Sequence, residues 1–402
     1  MENKLFDNLR IEQPMKQLIQ QPVEPQIHGG NVWRLAEQSG IAVEEVIDFS
    51  ANINPLGPSP YAVAAISEAV PFLHHYPETQ GDQCVSALSE YLDVPKAQLI
   101  LGNGAAELIY LLGRMYYQTR LLRLAPTFSE YGQGLEAPVC IDFALRREDQ
   151  FALPLAEIQQ EMQAGDVLFV GNPNNPTGKL FTREDMMKLA EAALQKSVTL
   201  VIDEAFIDFC PNHRDQSMRY FVERYPNMVI VGSLTKFFAI PALRLGYAVA
   251  HQQLIERMQR LLPPWRVNLP ALLAGEASMT DERYIQETLS YVCEERRWFT
   301  RELRKISGFR VYEGAANFLL VNSQQAGITA EFLYKRLKKY GILIRLCHSF
   351  TNLSAYDFRL AVRKREENQR LLAVLQQITE GRVSKGGTSD GASENGINAG
   401  GL

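Results

Sequence analysis

The chain has 402 residues, 46% of them apolar, which is enough to bury a large core divided between two domains. Charged residues make up 22% and the formal net charge is -5. That balance excludes the basic field of a general nucleic-acid binder, yet leaves room for a few local arginines to hold a small anion.

The five cysteines, Cys84, Cys140, Cys210, Cys293 and Cys347, show no C-x-x-C pair or metal-like spacing and read as reduced thiols, with no metal site implied. The opening M-E-N-K-L-F-D-N-L-R leads into no apolar run, and no stretch reaches the ~20 apolar residues that span a bilayer. A cytoplasmic protein without membrane association is expected.

Residues 1–45 are mixed, hold the turn His28-Gly29-Gly30-Asn31, and are expected to join the smaller domain. A large domain is expected over 46–285. It opens with D-F-S-A-N-I-N-P-L-G-P-S-P, Asp48 to Pro60, whose density of turn formers suits an ordered loop feeding a binding site. Q-L-I-L-G-N-G at 98–104 reads as a strand, and A-A-E-L-I-Y-L-L-G-R-M after it repeats apolar residues at helical spacing. V-L-F-V at 167–170 stops at G-N-P-N-N-P-T-G, and the next helix, from Phe181 to Leu194, has Thr182 as its capping hydroxyl. T-L-V-I at 199–202 ends at Asp203, and M-V-I-V at 228–231 ends at Gly232. Continuous β-rich runs separated by helices predict an α/β fold with a mostly parallel sheet covered on both faces.

A small C-terminal α/β domain is expected over 286–380: a long helix after Tyr291, strands at N-F-L-L-V, 342–345 and 358–362, and helices at 329–340 and 366–379. Residues 381–402 are rich in glycine and serine and are expected to be disordered.

In such a sheet, ligands sit beyond the carboxyl ends of the strands. Four polar motifs fall there: Gly102–Ala106, Asn172–Gly178, Asp203-Glu204 and Ser233–Lys236. Lys236, followed by two phenylalanines, is an expensive lysine unless it is paired or covalently used; condensation with an aldehyde, as a Schiff base, makes sense of it. Ser233, Thr235 and Arg244 offer donors for a phosphate, as do the free N–H groups at Gly104, Ala105 and Ala106. Asp203, at the end of an apolar strand, suits a protonated ring nitrogen; the alternative, a magnesium-binding aspartate, lacks the G-x-x-x-x-G-K-[ST] loop that would accompany it. Asn175 would reach a phenolic oxygen, and Phe128 in A-P-T-F-S-E-Y would stack on the ring.

N-P-N-N-P-T-G, D-E-A-F, S-L-T-K and R-L-G-Y, in this order, resemble the fold-type-I pyridoxal-phosphate (PLP) enzymes of the histidinol-phosphate aminotransferase branch, over roughly residues 25–380. H-G-G-N at 28–31, D-F-S-A-N-I-N-P-L-G-P and D-E-A-F-I-D-F look most like the branch that decarboxylates L-threonine O-3-phosphate in cobalamin biosynthesis. The resemblance implies Lys236 as the Schiff-base lysine, Asp203 at the pyridine nitrogen, Arg359 as the clamp on the substrate α-carboxylate, and Arg345, His28, Gly29, Gly30, Asn31 and Asn54 on the substrate. It also implies a homodimer, with Tyr76 reaching the cofactor phosphate of the other subunit. Phe206 stands where many aminotransferases carry a tyrosine, so one hydrogen bond to the cofactor oxygen is missing; the decarboxylase-like branch shares this feature. Transamination of histidinol phosphate or a related amine, and a catalytically silent scaffold, are the alternatives.

Overall fold

The computed structural model describes residues 29–383. His28 and residues 384–402 of the glycine-rich tail lie outside the described residues. The tail's expected start at 381 is corrected, because residues 381–383 finish the last helix, Arg365–Val383.

Thirteen strands are described. Ile47–Asp48 is β1, Leu99–Asn103 β2, Leu121–Ala125 β3, Cys140–Ala144 β4, Val167–Gly171 β5, Thr199–Asp203 β6, Met228–Ser233 β7 and Leu245–Ala250 β8. Arg310–Val311 is β9, Phe318–Asn322 β10, Ile342–Leu343 β11, Arg345–Leu346 β12 and Asp357–Ala361 β13.

The main sheet has seven strands in the order β2-β8-β7-β6-β5-β3-β4. Its centre is parallel, as the apolar runs predict. Alternation along β5 explains why both faces are covered: Leu168 and Val170 enter one apolar cluster with Leu200 and Ile230, while Val167 and Phe169 enter another with Val201 and Leu112. Three of these strands, β3, β4 and β8, were not anticipated. Of the three, β8 departs from the parallel pattern and runs antiparallel between β7 and β2. The chain from Ser233 to Leu245 holds only a short helix, Leu234–Phe237, and a turn at Pro241–Leu243. That is too little for a parallel crossover, so the strand must return the other way.

A four-stranded antiparallel sheet, β12-β13-β10-β9, forms the second unit. The helices Glu282–Leu303, Ala330–Lys338 and Arg365–Val383 supply Phe299, Leu333 and Leu371 to its core, against Leu319 and Phe358. Pairing of β1 with β11 in parallel brings Ile47 and Phe49 into the same core. The loop after β1 therefore passes from one unit toward the ends of the main strands. The capping hydroxyl of Thr182 does accept from the Asp185 N–H, at 3.1 Å.

One buried ion pair ties the units together. Arg147, just past β4, donates to both oxygens of Asp357 at 2.8 and 2.5 Å, and Asn322 and Ser354 donate to the same carboxylate. Burial alone would raise the Asp357 pKa, but these donors overcome it and hold the carboxyl below its usual range. Arg147→Met is expected to cost about 3–5 kcal/mol at neutral pH, because a buried charge loses its partner. The loss should shrink as pH falls through the carboxylate range, where the native pair's own contribution disappears. Denaturant unfolding of both proteins across that range measures it; a difference independent of pH would contradict the account.

Candidate active site

The carboxyl ends of β2, β5, β6 and β7 and the second unit enclose a cavity of about 510 Å³. Lys236 and Asp203 both line it. Lys236 sits in the turn of helix directly after β7, where its backbone carbonyl accepts from the Asn54 N–H at 3.0 Å. Burial, reinforced by Arg244 and Arg359, pulls its amine down to about 8, against the opposing pull of Asp203. An amine tuned this way stays mostly protonated near neutral pH but has a far larger neutral, nucleophilic fraction than an ordinary lysine.

Asp203 ends β6. Its Oδ1 accepts from the Ala205 N–H at 2.9 Å and its Oδ2 from the Tyr131 hydroxyl at 2.8 Å. Burial raises its pKa, opposed by those two donors and by Lys236. Glu204 points elsewhere, as strand alternation requires: Ser217 Oγ and the Met218 N–H donate to it at 2.5 and 2.8 Å, and burial lifts it to about 7.

Next to this pair lies an anion cradle. Ser233 Oγ and Thr235 Oγ1 are 2.8 Å apart, and both residues line the cavity with Arg244, Ala105 and Ala106. Ala105 opens the helix Ala105–Met115, so its first N–H groups have no partner within the helix. Gly104 is favoured by its φ of +79, and a Cβ there would displace the Arg244 guanidinium, whose Nη2 lies 2.4 Å from its position. Gly246 is equally constrained, since a Cβ would meet the Ala105 nitrogen at 2.3 Å.

The second unit contributes Arg345 and Arg359. Arg359 donates to Ser50 O at 2.8 Å and to Asn175 Oδ1, lies over the Phe318 ring, and keeps a buried Nε with no partner. Burial, with Arg345 alongside, brings it down to about 10. Arg345 lies over Phe350, 5.2 Å from the ring centroid, and burial lowers it too. Four cationic side chains thus line the cavity against two carboxylates, Asp203 and Glu130. A surplus of positive charge in a partly buried space is stable only with an anionic occupant.

The residues brought to this cavity from those read in the sequence are Lys236, Asp203, Ala105, Ala106, Phe128, Asn175, Ser233, Thr235, Arg244, Gly29, Arg345 and Arg359. Others stand apart. Asn54 is 2% exposed and is spent on the frame, donating to Phe237 O, Tyr284 and Thr288. Asn31 caps the helix Val32–Ser39, and the Gly30 N–H donates to Ser50 Oγ. Tyr76 lies on the surface, its ring tilted against that of Trp265 with centroids 4.9 Å apart. The structure adds Tyr131, Glu130, Asn52 and Phe350, which the sequence reading missed. Asn52 is the residue two before Asn54 in the same loop; it is 3% exposed, and its Oδ1 has no partner. Strand and turn signals do not reveal which of two alternating asparagines turns inward.

Residues 44–375 match the profile of the family described as aminotransferase class I and II, so the chain belongs to that family. The threonine-phosphate decarboxylase of Salmonella typhimurium is 35% identical over 88% of this chain and 97% of its own length. The histidinol-phosphate aminotransferase of Clostridium acetobutylicum superposes with a TM-score of 0.77 at 30% identity, covering 83% of this chain and 99% of that one. A second structure, histidinol-phosphate aminotransferase from Sinorhizobium meliloti in complex with pyridoxal-5'-phosphate, shares the fold at a TM-score of 0.78 and 19% identity, covering 94% of this chain and 99% of that one.

The lowered amine makes a measurable prediction. In cofactor-free protein, reductive labelling of Lys236 by a small aldehyde, followed by peptide mass spectrometry, should rise with pH around a midpoint of about 8. Asp203→Asn should move that midpoint lower, because the carboxylate favours the protonated amine. A midpoint near the ordinary lysine value would refute the burial argument.

Proposed function

We propose that this chain converts L-threonine O-3-phosphate to (R)-1-amino-2-propanol O-2-phosphate and carbon dioxide, using PLP, in the cytoplasm. The observation that carries the reading is the surplus of cations, split between two places. Arg244 sits with Ser233, Thr235 and the Ala105 helix end; Arg345 and Arg359 come from the other unit. One cradle suits the cofactor phosphate, and the paired arginines suit a substrate bearing both a carboxylate and a phosphate. The residues present fit PLP: an accessible amine, an acid held ionisable by two donors, an aromatic side chain at Phe128 and a glycine-lined phosphate cradle.

When bound, PLP supplies an electron-withdrawing ring that accepts the electron pair of the bond broken at the substrate Cα. Lys236 would hold the cofactor through its aldehyde, and its amine would be the group placed to move a proton at the substrate Cα. Asp203 would face the ring nitrogen and favour its cationic form. Arg359, held by Asn175 and the Ser50 carbonyl, lines the cavity as the guanidinium for the α-carboxylate. Arg345 serves the substrate phosphate. Phe206 packs edge-on against Phe318 at 5.0 Å and brings no hydroxyl to the cavity. The similarity to a threonine-phosphate decarboxylase supports this reaction over transamination.

We propose a homodimer as the working unit, with Tyr76 of a second copy completing the phosphate cradle. The surface around Tyr76, with Phe72, Leu73, Leu261 and Trp265 exposed, is apolar enough to be covered by another chain.

The test is product analysis. Purified protein with PLP and L-threonine O-3-phosphate, but no 2-oxoacid, should release carbon dioxide in a 1:1 ratio to an aminopropanol phosphate identified by mass. L-Serine O-phosphate, lacking one methyl, should react with kcat/KM lower by ~10- to 100-fold. Turnover that depends strictly on 2-oxoglutarate and releases no carbon dioxide would replace this reading with a histidinol-phosphate-type aminotransferase.

A further inference from the structure

Asp203 must remain charged in a site where burial favours its neutral form. Its two oxygens are served separately: Oδ1 by the Ala205 N–H of its own chain segment, and Oδ2 by the hydroxyl of Tyr131, 72 residues away in sequence. The backbone donor is a consequence of the turn after β6. Tyr131 has no such excuse for being there, and its surroundings leave it little freedom. Its ring is 3% exposed, stacked on Phe169 at 5.4 Å and 20°, with Phe128 edge-on at 5.7 Å and 82°. Behind the hydroxyl is Gly171, where an added Cβ would come within 2.9 Å of the oxygen. The end of β5 is therefore bare where this hydroxyl must pass to reach the end of β6.

We infer that Tyr131 is a positioning residue whose hydroxyl fixes the orientation and the charge of the Asp203 carboxylate. The inference rests on the cofactor reading above, in which Asp203 meets the ring nitrogen. A carboxylate free to rotate, or protonated, loses that function even with every other group in place. The hydroxyl itself stays a donor, since burial first, and then Asp203, push its pKa well above the ordinary tyrosine value. Of the other charged groups, Lys236 acts on Asp203 directly and also favours its ionised form. Arg244, Arg345, Arg359 and Glu130 line the same cavity. Tyr131 also touches Phe128, so one side chain braces both the acid and the aromatic residue proposed to stack on the ring.

Tyr131→Phe keeps the stacked ring and removes only the oxygen. In cofactor-free protein carrying carbon-13-labelled aspartate, NMR titration of the Asp203 carboxyl should show its pKa raised relative to wild type. In the loaded enzyme, kcat should fall by about 10- to 100-fold, the worth of one charge-assisted hydrogen bond, with a smaller change in substrate KM. The acid limb of the kcat profile should move to higher pH, and PLP should dissociate more readily. Gly171→Ala, which crowds the hydroxyl without deleting it, should shift the same carboxyl titration in the same direction. In an Asp203→Asn background, Tyr131→Phe should add no further loss. An unchanged carboxyl titration, or an equal loss with and without Asp203, would reduce Tyr131 to a packing residue. The titration involves no substrate, so a protein that transaminates instead of decarboxylating would sink the substrate assignment and leave this inference standing.

Discussion

Burial acts on both charges at the centre of the cavity, and in opposite directions on the pH scale. It pulls Lys236 down to about 8 and pushes Asp203 up. Left alone, such a pair drifts toward two neutral groups. The surrounding structure resists that on the acid side, through the Ala205 N–H and the Tyr131 hydroxyl, and assists it on the base side, through Arg244 and Arg359. An available amine beside a charged carboxylate is the combination that PLP chemistry needs, and it is produced by where the strands end.

The second unit supplies charge rather than scaffold. Arg345 and Arg359 stand on its sheet, at β12 and β13, and reach a cavity whose other walls belong to the seven-stranded sheet. The ion pair of Arg147 with Asp357 joins the two sheets close to Arg359, because Asp357 begins the strand that carries it. The geometry of the substrate arginines is thereby coupled to the packing between units.

Local patterns made much of this legible. Apolar runs ending at Gly171, Asp203 and Gly232 identified the central parallel strands and, through them, the mouth of the site. Thr182 announced its helix because a capping hydroxyl acts within three residues. Asp203 was recognisable as a charged residue ending an apolar strand, and Lys236 as a lysine just past one and followed by two phenylalanines, where burial leaves either few uses. Asn54, which the resemblance put on the substrate, is spent on the frame instead, and two asparagines in one loop look alike until their neighbours are known. Local patterns also passed over β8, whose direction depends on the short return from β7.

What the sequence determined by itself was the class of chemistry: residue types and strand ends are properties of short segments, and they point to an amine, an acid and a phosphate cradle. What only the tertiary structure decided was which groups meet. Tyr131 reaches Asp203 across 72 residues of chain, Arg359 reaches Ser50 across 309, and Asn52 rather than Asn54 turns to the cavity. Those contacts follow from sheet order and the docking of the second unit, long-range packing choices that no local spacing encodes.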